Sequence, residues 1–150
     1  MLIFEIDIAG AINKLEIVKG MEWKDPLKQG MEEIKSFTEN DVFNSDGSAL
    51  GSRWSRLKMS TIKDRSRKGF LAGPILQRTG NMKRSFKITE GDNWIELGNT
   101  AEYFKYHQST KPRSKLPRRA MLRGNQKTRN IIVREFLKYS NEFIRRNKLG

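Results

Sequence analysis

The sequence contains no cysteine and a single histidine, His107. Without cysteine the chain has no disulfide framework, no thiolate nucleophile and no cysteine ligands for zinc, which suits a reducing cytosol. One histidine leaves one side chain that exchanges protons near neutral pH. The acidic residues do not offer a metal site in place of Cys and His, because no cluster of Asp and Glu has the spacing of metal ligands. The sequence therefore predicts a protein that is not an enzyme and has no cofactor or metal site.

The remaining catalytic patterns are equally weak. A Ser-His-Asp set could be assembled around His107 from Ser85 or Ser109, but almost any sequence allows that. Gly91 belongs to a turn and not to the strand, glycine-rich loop and helix of a phosphate site. We therefore expect His107 to be a structural hydrogen-bonding residue beside Tyr103.

Long apolar runs are also missing. Nothing approaches the ~20 apolar residues of a membrane-spanning helix. The first eight residues carry Glu5 and Asp7 and no basic residue, so we expect no signal peptide. Of the 150 residues, 36% are hydrophobic and 31% are charged. This balance fits one domain spanning residues 1–150, part of which is extended and packs only against a partner.

Positive charge is abundant and unevenly distributed. The net charge is +13, yet residues 1–50 hold 5 lysines against 10 acidic residues. Residues 51–150 hold 25 Lys and Arg against 7 Asp and Glu. Such asymmetry indicates either a polyanionic partner or the packing of complementary surfaces of neighbouring subunits.

The N-terminal half alternates regular elements with breaks. Period-2 alternation predicts a strand over 2–8, and a short amphipathic run at 11–18 predicts one or two helical turns. Asp25-Pro26 has the signature of a helix start, and apolar residues at three- and four-residue spacing predict a helix over 26–43. Residues 44–73 are basic and weakly patterned, and we predict an extended loop there.

The C-terminal half combines a hairpin, an arm and a helix. Strands at 85–89 and 94–98 flank a polar turn, and residues 103–106 are expected to form a third aromatic strand or a turn against the hairpin. Pro74 is expected to begin a short helix reaching Met82. Residues 109–119 form an extended basic arm, since two prolines and no apolar period disfavour a helix. Apolar spacing predicts a final helix over 126–147. The fold class is α+β, with a small antiparallel β-sheet packed against the two long helices.

An ordered series of motifs runs through the middle of the chain. They read Gly51-x-x-Trp54-x-x-Leu57-x-x-x-Thr61, Ile75-Leu76-x-x-Thr79-Gly80-x-Met82-x-x-Ser85, Ile95-x-Leu97-Gly98, Tyr103-x-x-x-His107-Gln108 and Pro117-x-Arg119-x-Met121-Leu122. In this order they resemble the phage virion morphogenesis family, the Mu-like protein G and tail-completion proteins of tailed bacteriophages. The chain departs from that pattern at Ser109-Thr110-Lys111, where a glycine is usual, and at Arg118, which adds a charge.

The resemblance implies a structural protein of the virion neck or tail that is assembled in the host cytoplasm. It acts in tail completion and head–tail joining as a homo-oligomeric ring, with a hexamer favoured. Its partners would be other neck and tail proteins and packaged DNA in the lumen. The motif residues expected to be structural are Trp54, Leu57, Thr61, Leu76, Thr79, Gly80, Gly98, Tyr103, His107, Gln108, Pro117 and Leu122, and the apolar members, with Ile75, Ile95 and Leu97, are expected to anchor the fold.

The basic residues of the loop and arm are the expected contacts. They are Arg53, Arg56, Arg65, Arg67, Lys68, Lys111, Arg113, Lys115, Arg118 and Arg119. Neighbouring subunits are the first candidate for what they bind, and DNA is the second. A non-sequence-specific nucleic-acid-binding protein is the alternative function, because the cations are interleaved with aromatic residues that could stack on bases.

Overall fold

The computed structural model describes residues 21–111 and 113–146. Within them the helices are α1 (Lys24–Phe37), α2 (Met59–Arg67), α3 (Asn81–Arg84), α4 (Phe104–Gln108) and α5 (Gln126–Arg146). A π-helical turn, Thr38–Val42, extends α1, and a 3-10 turn occupies Ser48–Leu50. Strands β1 (Phe86–Glu90) and β2 (Ile95–Asn99) form an antiparallel hairpin. The predicted α+β class is confirmed.

Helices α1 and α5 form the larger packing unit. Leu27, Met31 and Ile34 recur at helical spacing on α1 and are buried. Gly30 lies on the same side, and a Cβ atom there would approach Ile132 Cδ1 of α5 to 2.6 Å. The missing side chain therefore lets the two helices come close together.

The hairpin closes the core from the other side. Phe86 pairs with Asn99 and Glu90 with Ile95 in its register. Alternation along the strands buries Phe86, Ile95 and Leu97. The rings of Trp54, Phe43, Phe86 and Phe104 follow one another in edge-to-face contacts, with centroids 5.4–6.2 Å apart. Each such contact contributes about 0.5–1.5 kcal/mol beyond burial.

The two long helices and the hairpin, which were predicted from apolar spacing, are confirmed with small shifts in their bounds. Helix 26–43 corresponds to α1 and its π-helical extension, helix 126–147 to α5, and the hairpin lies one residue later than predicted. Asp25 is not the N-cap, however, because α1 already begins at Lys24 and its N-cap residue, Trp23, makes no side-chain cap bond. The strand predicted at 2–8 and the turns at 11–18 lie outside the described residues.

Two predicted segments are wrong. The loop predicted for 44–73 contains helix α2, which buries only Arg65 and therefore has no apolar stripe that a periodicity search detects. Residues 103–106, expected as a third strand or a turn, do not form a strand: Tyr103 lies in a turn and helix α4 begins at Phe104. There the buried residues are Phe104, His107 and Gln108, and their spacing is helical.

The turns after α2 also differ from expectation. Residues 74–80 are not helical, and only Asn81–Arg84 forms the short helix predicted from Pro74. Gly80, at φ +71°, occupies the N-cap position of that helix. Trp94, which falls within the strand predicted at 94–98, precedes β2 and is half exposed. Residues 109–111 and 113–125 contain neither helix nor strand, as the predicted arm requires.

Candidate functional site

Three of the motif segments are joined by hydrogen bonds into one unit. The Trp54 indole Nε1 donates to Ala120 O at 2.8 Å. The Arg119 guanidinium donates from Nε and Nη2 to Ser55 O at 3.1 and 3.0 Å. The segment around Trp54 is therefore attached twice to residues 119–120, across more than sixty residues of chain.

Gln108 attaches the third segment. Its side chain is buried, with 5% of its surface exposed. The amide Oε1 accepts from the backbone N–H of Met121 at 2.9 Å and of Leu122 at 3.1 Å, and Nε2 donates to Leu122 O at 2.6 Å. One planar amide thus satisfies three buried backbone groups that have no sheet or helix to pair with.

Gly47 makes room for Trp54. Its φ of +83° is in the left-handed region, and a Cβ atom there would lie 2.5 Å from the indole ring. The Trp54 backbone N–H also donates to Asp46 O at 2.6 Å. Residues 46–47 and Trp54 therefore form a compact turn that directs the indole into the core.

His107 is buried beside this unit. Its backbone O accepts from Arg119 N at 3.0 Å, and its Nδ1 has no hydrogen-bond partner among the described residues. Burial lowers the pKa of His107, and the positive charge of Arg119 lowers it further. The imidazole is therefore held in its neutral form, packed against a cation.

Arg119 is not a surface contact, so that prediction is wrong. Only 6% of its surface is exposed, and both its hydrogen bonds hold the backbone of the same chain. Arg65 is likewise buried, and its Nη1 donates to Pro74 O at 2.7 Å. Burial, followed by the charge of Arg78 for Arg65 and of Arg65 for Arg119, lowers the pKa of each guanidinium.

The other predicted cations are exposed, but those of the loop are partly compensated. Arg67 and Lys68 form ion pairs with Asp64 at 3.0 and 2.9 Å within and just after α2. Arg53 lies 3.9 Å from Asp46. Arg56 is exposed. Exposed pairs of this kind are worth little energetically, so these side chains can exchange partners.

The arm carries the least compensated charge. Lys111, Arg113, Lys115 and Arg118 are exposed, and none of them forms an ion pair with a carboxylate in the described part of the chain. Arg113 lies over the Tyr106 ring, 4.6 Å from its centroid, and Arg118 Nε donates to Gln108 O at 3.3 Å. The root of the arm is thus held against α4, while its charges face outward.

The remaining motif residues surround this unit. Leu122 is buried, Leu57, Leu76, Gly98 and Pro117 are half-buried, and Thr61, Thr79 and Tyr103 are exposed. Among the predicted anchors, Trp54, Ile75, Ile95 and Leu97 lie in the core, with Leu57 and Leu76 packed against it. Sequence reasoning missed Asn99, whose Nδ2 donates to Met82 O at 2.7 Å, and Arg78, which occupies an unspecified position of the second motif.

Metal binding and membrane spanning find little support among the described residues. In the described ranges no group of three or more His, Cys, Asp or Glu side chains could hold a metal ion. None of the helices found there is both long and apolar enough to cross a membrane. What the site offers is a rigid hydrogen-bonded unit that positions exposed cations.

Comparison with known proteins identifies the family. The profile of the phage virion morphogenesis family matches residues 13–145. No curated protein and no solved structure matches the chain. The matched range contains all five motifs and both long helices. The chain belongs to the phage virion morphogenesis family.

Proposed function

We propose that the protein is a structural subunit of the phage neck or tail, acting in tail completion and head–tail joining as one copy of an oligomeric ring. Membership of a virion morphogenesis family gives the broader role, in virion assembly. Within that role, the structure favours a part that is built from repeated copies over one that performs chemistry.

The observation that carries this proposal is the contrast between buried motif residues, which hold the fold together, and exposed basic residues of the arm. Trp54, Gln108 and Arg119 are buried, and their side chains hydrogen-bond to the backbone of Ala120, Leu122 and Ser55. They fix the position of the arm at 109–119, whose exposed cations have no acidic partner in the described residues. A surface that is rigidly positioned and uncompensated in one copy is suited to contacts between molecules.

Ring formation requires two different, complementary patches on each copy. The basic arm and the segment 53–68 provide one kind of surface. Helix α1 and its π-helical extension, which carry Asp25, Glu32 and Glu39, provide the opposite charge. Head-to-tail contacts between such patches close into a ring when the rotation between copies permits it.

The mass of the protein in solution tests the proposal. We expect light scattering and native mass spectrometry to find a discrete oligomer, formed alone or with other neck and tail proteins. A phage lacking the protein should accumulate filled heads and tails that are not joined. A protein that stays monomeric in both settings and is absent from purified particles would contradict the proposal.

Non-specific nucleic-acid binding is the second candidate, and the arm favours it. Four exposed cations, of which Arg113 lies over the Tyr106 ring, resemble a surface for phosphates and bases. If all four contact phosphates, log K for duplex DNA should fall with log salt at a slope of roughly −3 to −4. Duplex DNA binding with this salt dependence, by a monomer that joins no particle, would favour the second candidate.

A further inference from the structure

A cleft of about 580 Å³ opens between α2 and the start of α3. Its walls include Arg65, Phe70, Arg78, Thr79, Asn81 and Tyr103. Phe70 and Leu76 give the walls an apolar part, and hydroxyl, amide and guanidinium donors stand at its polar part. Donors of this type suit an oxygen-rich anion.

The charges in the cleft are not balanced. Arg78 stacks on Phe70, its Cζ 4.5 Å from the ring centroid, and Arg65 is held from below by Pro74 O. No carboxylate is among the residues that line the cleft. Two guanidiniums of like charge are therefore held near each other by a ring and a carbonyl, with no carboxylate among the described residues that line the cleft.

The wall of the cleft is held in a strained conformation. Leu76, which also lines it, has φ of +59°, a left-handed conformation that is costly for a residue with a side chain. The residues beside it keep it there, since Ile75 is buried in the core and Gln77 Nε2 donates to Phe43 O at 3.3 Å. The cleft is thus shaped by the folded core rather than by a freely moving loop.

Exposed apolar side chains on the same segment favour a protein partner over DNA. Leu71 follows Phe70 directly and is 70% exposed, and Met59 at the start of α2 is 65% exposed. A protein surface would bury such side chains, whereas a phosphate backbone offers them little. Cations surrounded by exposed apolar residues are typical of a protein interface.

The matching carboxylates are present on the chain itself. Asp25, Glu32 and Glu39 are spaced seven residues apart along α1 and its π-helical extension; Asp25 and Glu32 are exposed, and Glu39 is half-buried. We call them the acidic row. Successive members lie about 10 Å apart along the axis. None of the three forms an ion pair with another described residue.

We infer that the Arg65–Arg78 cleft binds a carboxylate of the acidic row of a second copy of this chain. The inference rests on the proposed function and names the contact through which the copies associate. Each copy then presents one cleft and one row, so the contact is heterologous and can propagate around a ring. Leu71 and Met59 become covered at its edge.

Two variants separate the two sides of the contact. Arg78→Gln removes the exposed cation of the cleft, and the triple variant Asp25→Asn, Glu32→Gln, Glu39→Gln removes the acidic row. We expect each to weaken self-association by roughly 30-fold or more, because a charged group is left without its partner. Arg145→Gln, an exposed position at the far end of α5, is the matched control and should assemble like the wild type.

Mixing the variants gives the decisive readout. The Arg78→Gln chain keeps its acidic row and the triple variant keeps its cleft, so the mixture should form one-to-one pairs and nothing larger. Native mass spectrometry resolves these species, and circular dichroism checks that every variant is folded.

The possible failures are distinguishable. Wild-type copies that remain monomeric, with and without the other neck and tail proteins, would overturn both the inference and the proposed function. A wild type that assembles together with an Arg78→Gln variant that assembles equally well would overturn the inference alone. Arg78→Gln that lowers duplex DNA affinity while leaving assembly unchanged would also overturn it, and would assign the cleft to phosphate.

Discussion

Replacing Gln108 by alanine should destabilise the folded subunit strongly. The change removes the one amide that pairs with the N–H groups of Met121 and Leu122 and with the carbonyl of Leu122. These groups belong to a buried segment without regular structure, so no neighbouring strand replaces the lost partner. The effect is therefore expected on folding first, and on the position of the arm as a consequence.

The magnitude follows from the groups left unpaired. A buried donor or acceptor without a partner costs about 1–3 kcal/mol, and three are created here. Water entering the space vacated by the side chain offsets part of this, so we expect a loss of ~3–5 kcal/mol. Against a typical total stability of about 5–15 kcal/mol, this is a large fraction. The melting temperature should fall by roughly 6–20 °C for a chain of this size.

Urea unfolding followed by circular dichroism measures the effect. Gln29→Ala, on the exposed side of α1, is the matched control and should change stability by less than about 0.5 kcal/mol. Gln108→Met keeps most of the volume and removes the hydrogen bonds, so it should retain most of the loss. A Gln108→Met protein as stable as the wild type would refute the reasoning, because the hydrogen bonds would then contribute nothing.

Three further predictions concern the same unit. Arg119→Ala should destabilise the subunit by about 2 kcal/mol in urea, since the charge-assisted hydrogen bonds from the buried guanidinium to the Ser55 carbonyl are lost, whereas the exposed Arg118→Ala should not. The lowered pKa of His107 favours its neutral form in the folded state, so stability should be complete above the ordinary pKa of 6.5 and fall as the pH drops below it, by at most about 1.4 kcal/mol per pH unit. Gly47→Ala should cost several kcal/mol and Gly51→Ala only about 1, because both have positive φ but only Gly47 lacks space for a Cβ atom.

Each of these has a result that would contradict it. Equal stability of the Arg119→Ala and Arg118→Ala proteins would mean that the hydrogen bonds of Arg119 do not stabilise the fold. A His107→Gln protein with the same dependence of stability on pH between 5.5 and 7.5 as the wild type would assign that dependence to other groups. Equal losses for Gly47→Ala and Gly51→Ala would mean that backbone conformation, and not contact with the indole ring, sets the cost.

Much of the fold follows from apolar spacing alone. Helix α1, helix α5 and the hairpin each bury one face, so residues such as Leu27, Ile34 and Phe86 recur at the period of their element. The helix start at Asp25-Pro26 was placed too late, because helix boundaries depend on capping contacts that spacing does not report.

Helix α2 could not be predicted in this way. It buries Arg65 and no apolar side chain, and the burial is satisfied by a hydrogen bond to Pro74 O that depends on the tertiary fold. Arg119 was misassigned for the same reason, since an arginine in a basic arm has the same sequence signature whether it faces solvent or a carbonyl. A long side chain with an apolar stem and a charged end allows both.

The candidate cleft was also beyond sequence reasoning. Arg78 is one cation among many, and its position over Phe70 depends on the left-handed turn at Leu76. Left-handed backbone is unusual for leucine, so no local rule predicts it. The acidic row, by contrast, is readable from its seven-residue spacing once α1 is known.

Because two arginines are buried, the basic surface of this subunit takes its shape only when the chain folds. Arg65 and Arg119 form no ion pair with a carboxylate within residues 21–111 and 113–146, and burying each charge costs several kcal/mol that a carbonyl only partly offsets. Their hydrogen bonds join α2 to residue 74 and the segment at 54–57 to the arm, so the basic surface takes its shape only when both are made. An anion bound next to Arg65 would lower the free-energy cost of burying its charge. Association with a negatively charged partner should therefore stabilise the fold as well as the assembly, which is the coupling expected of a subunit that becomes rigid as it joins its neighbours.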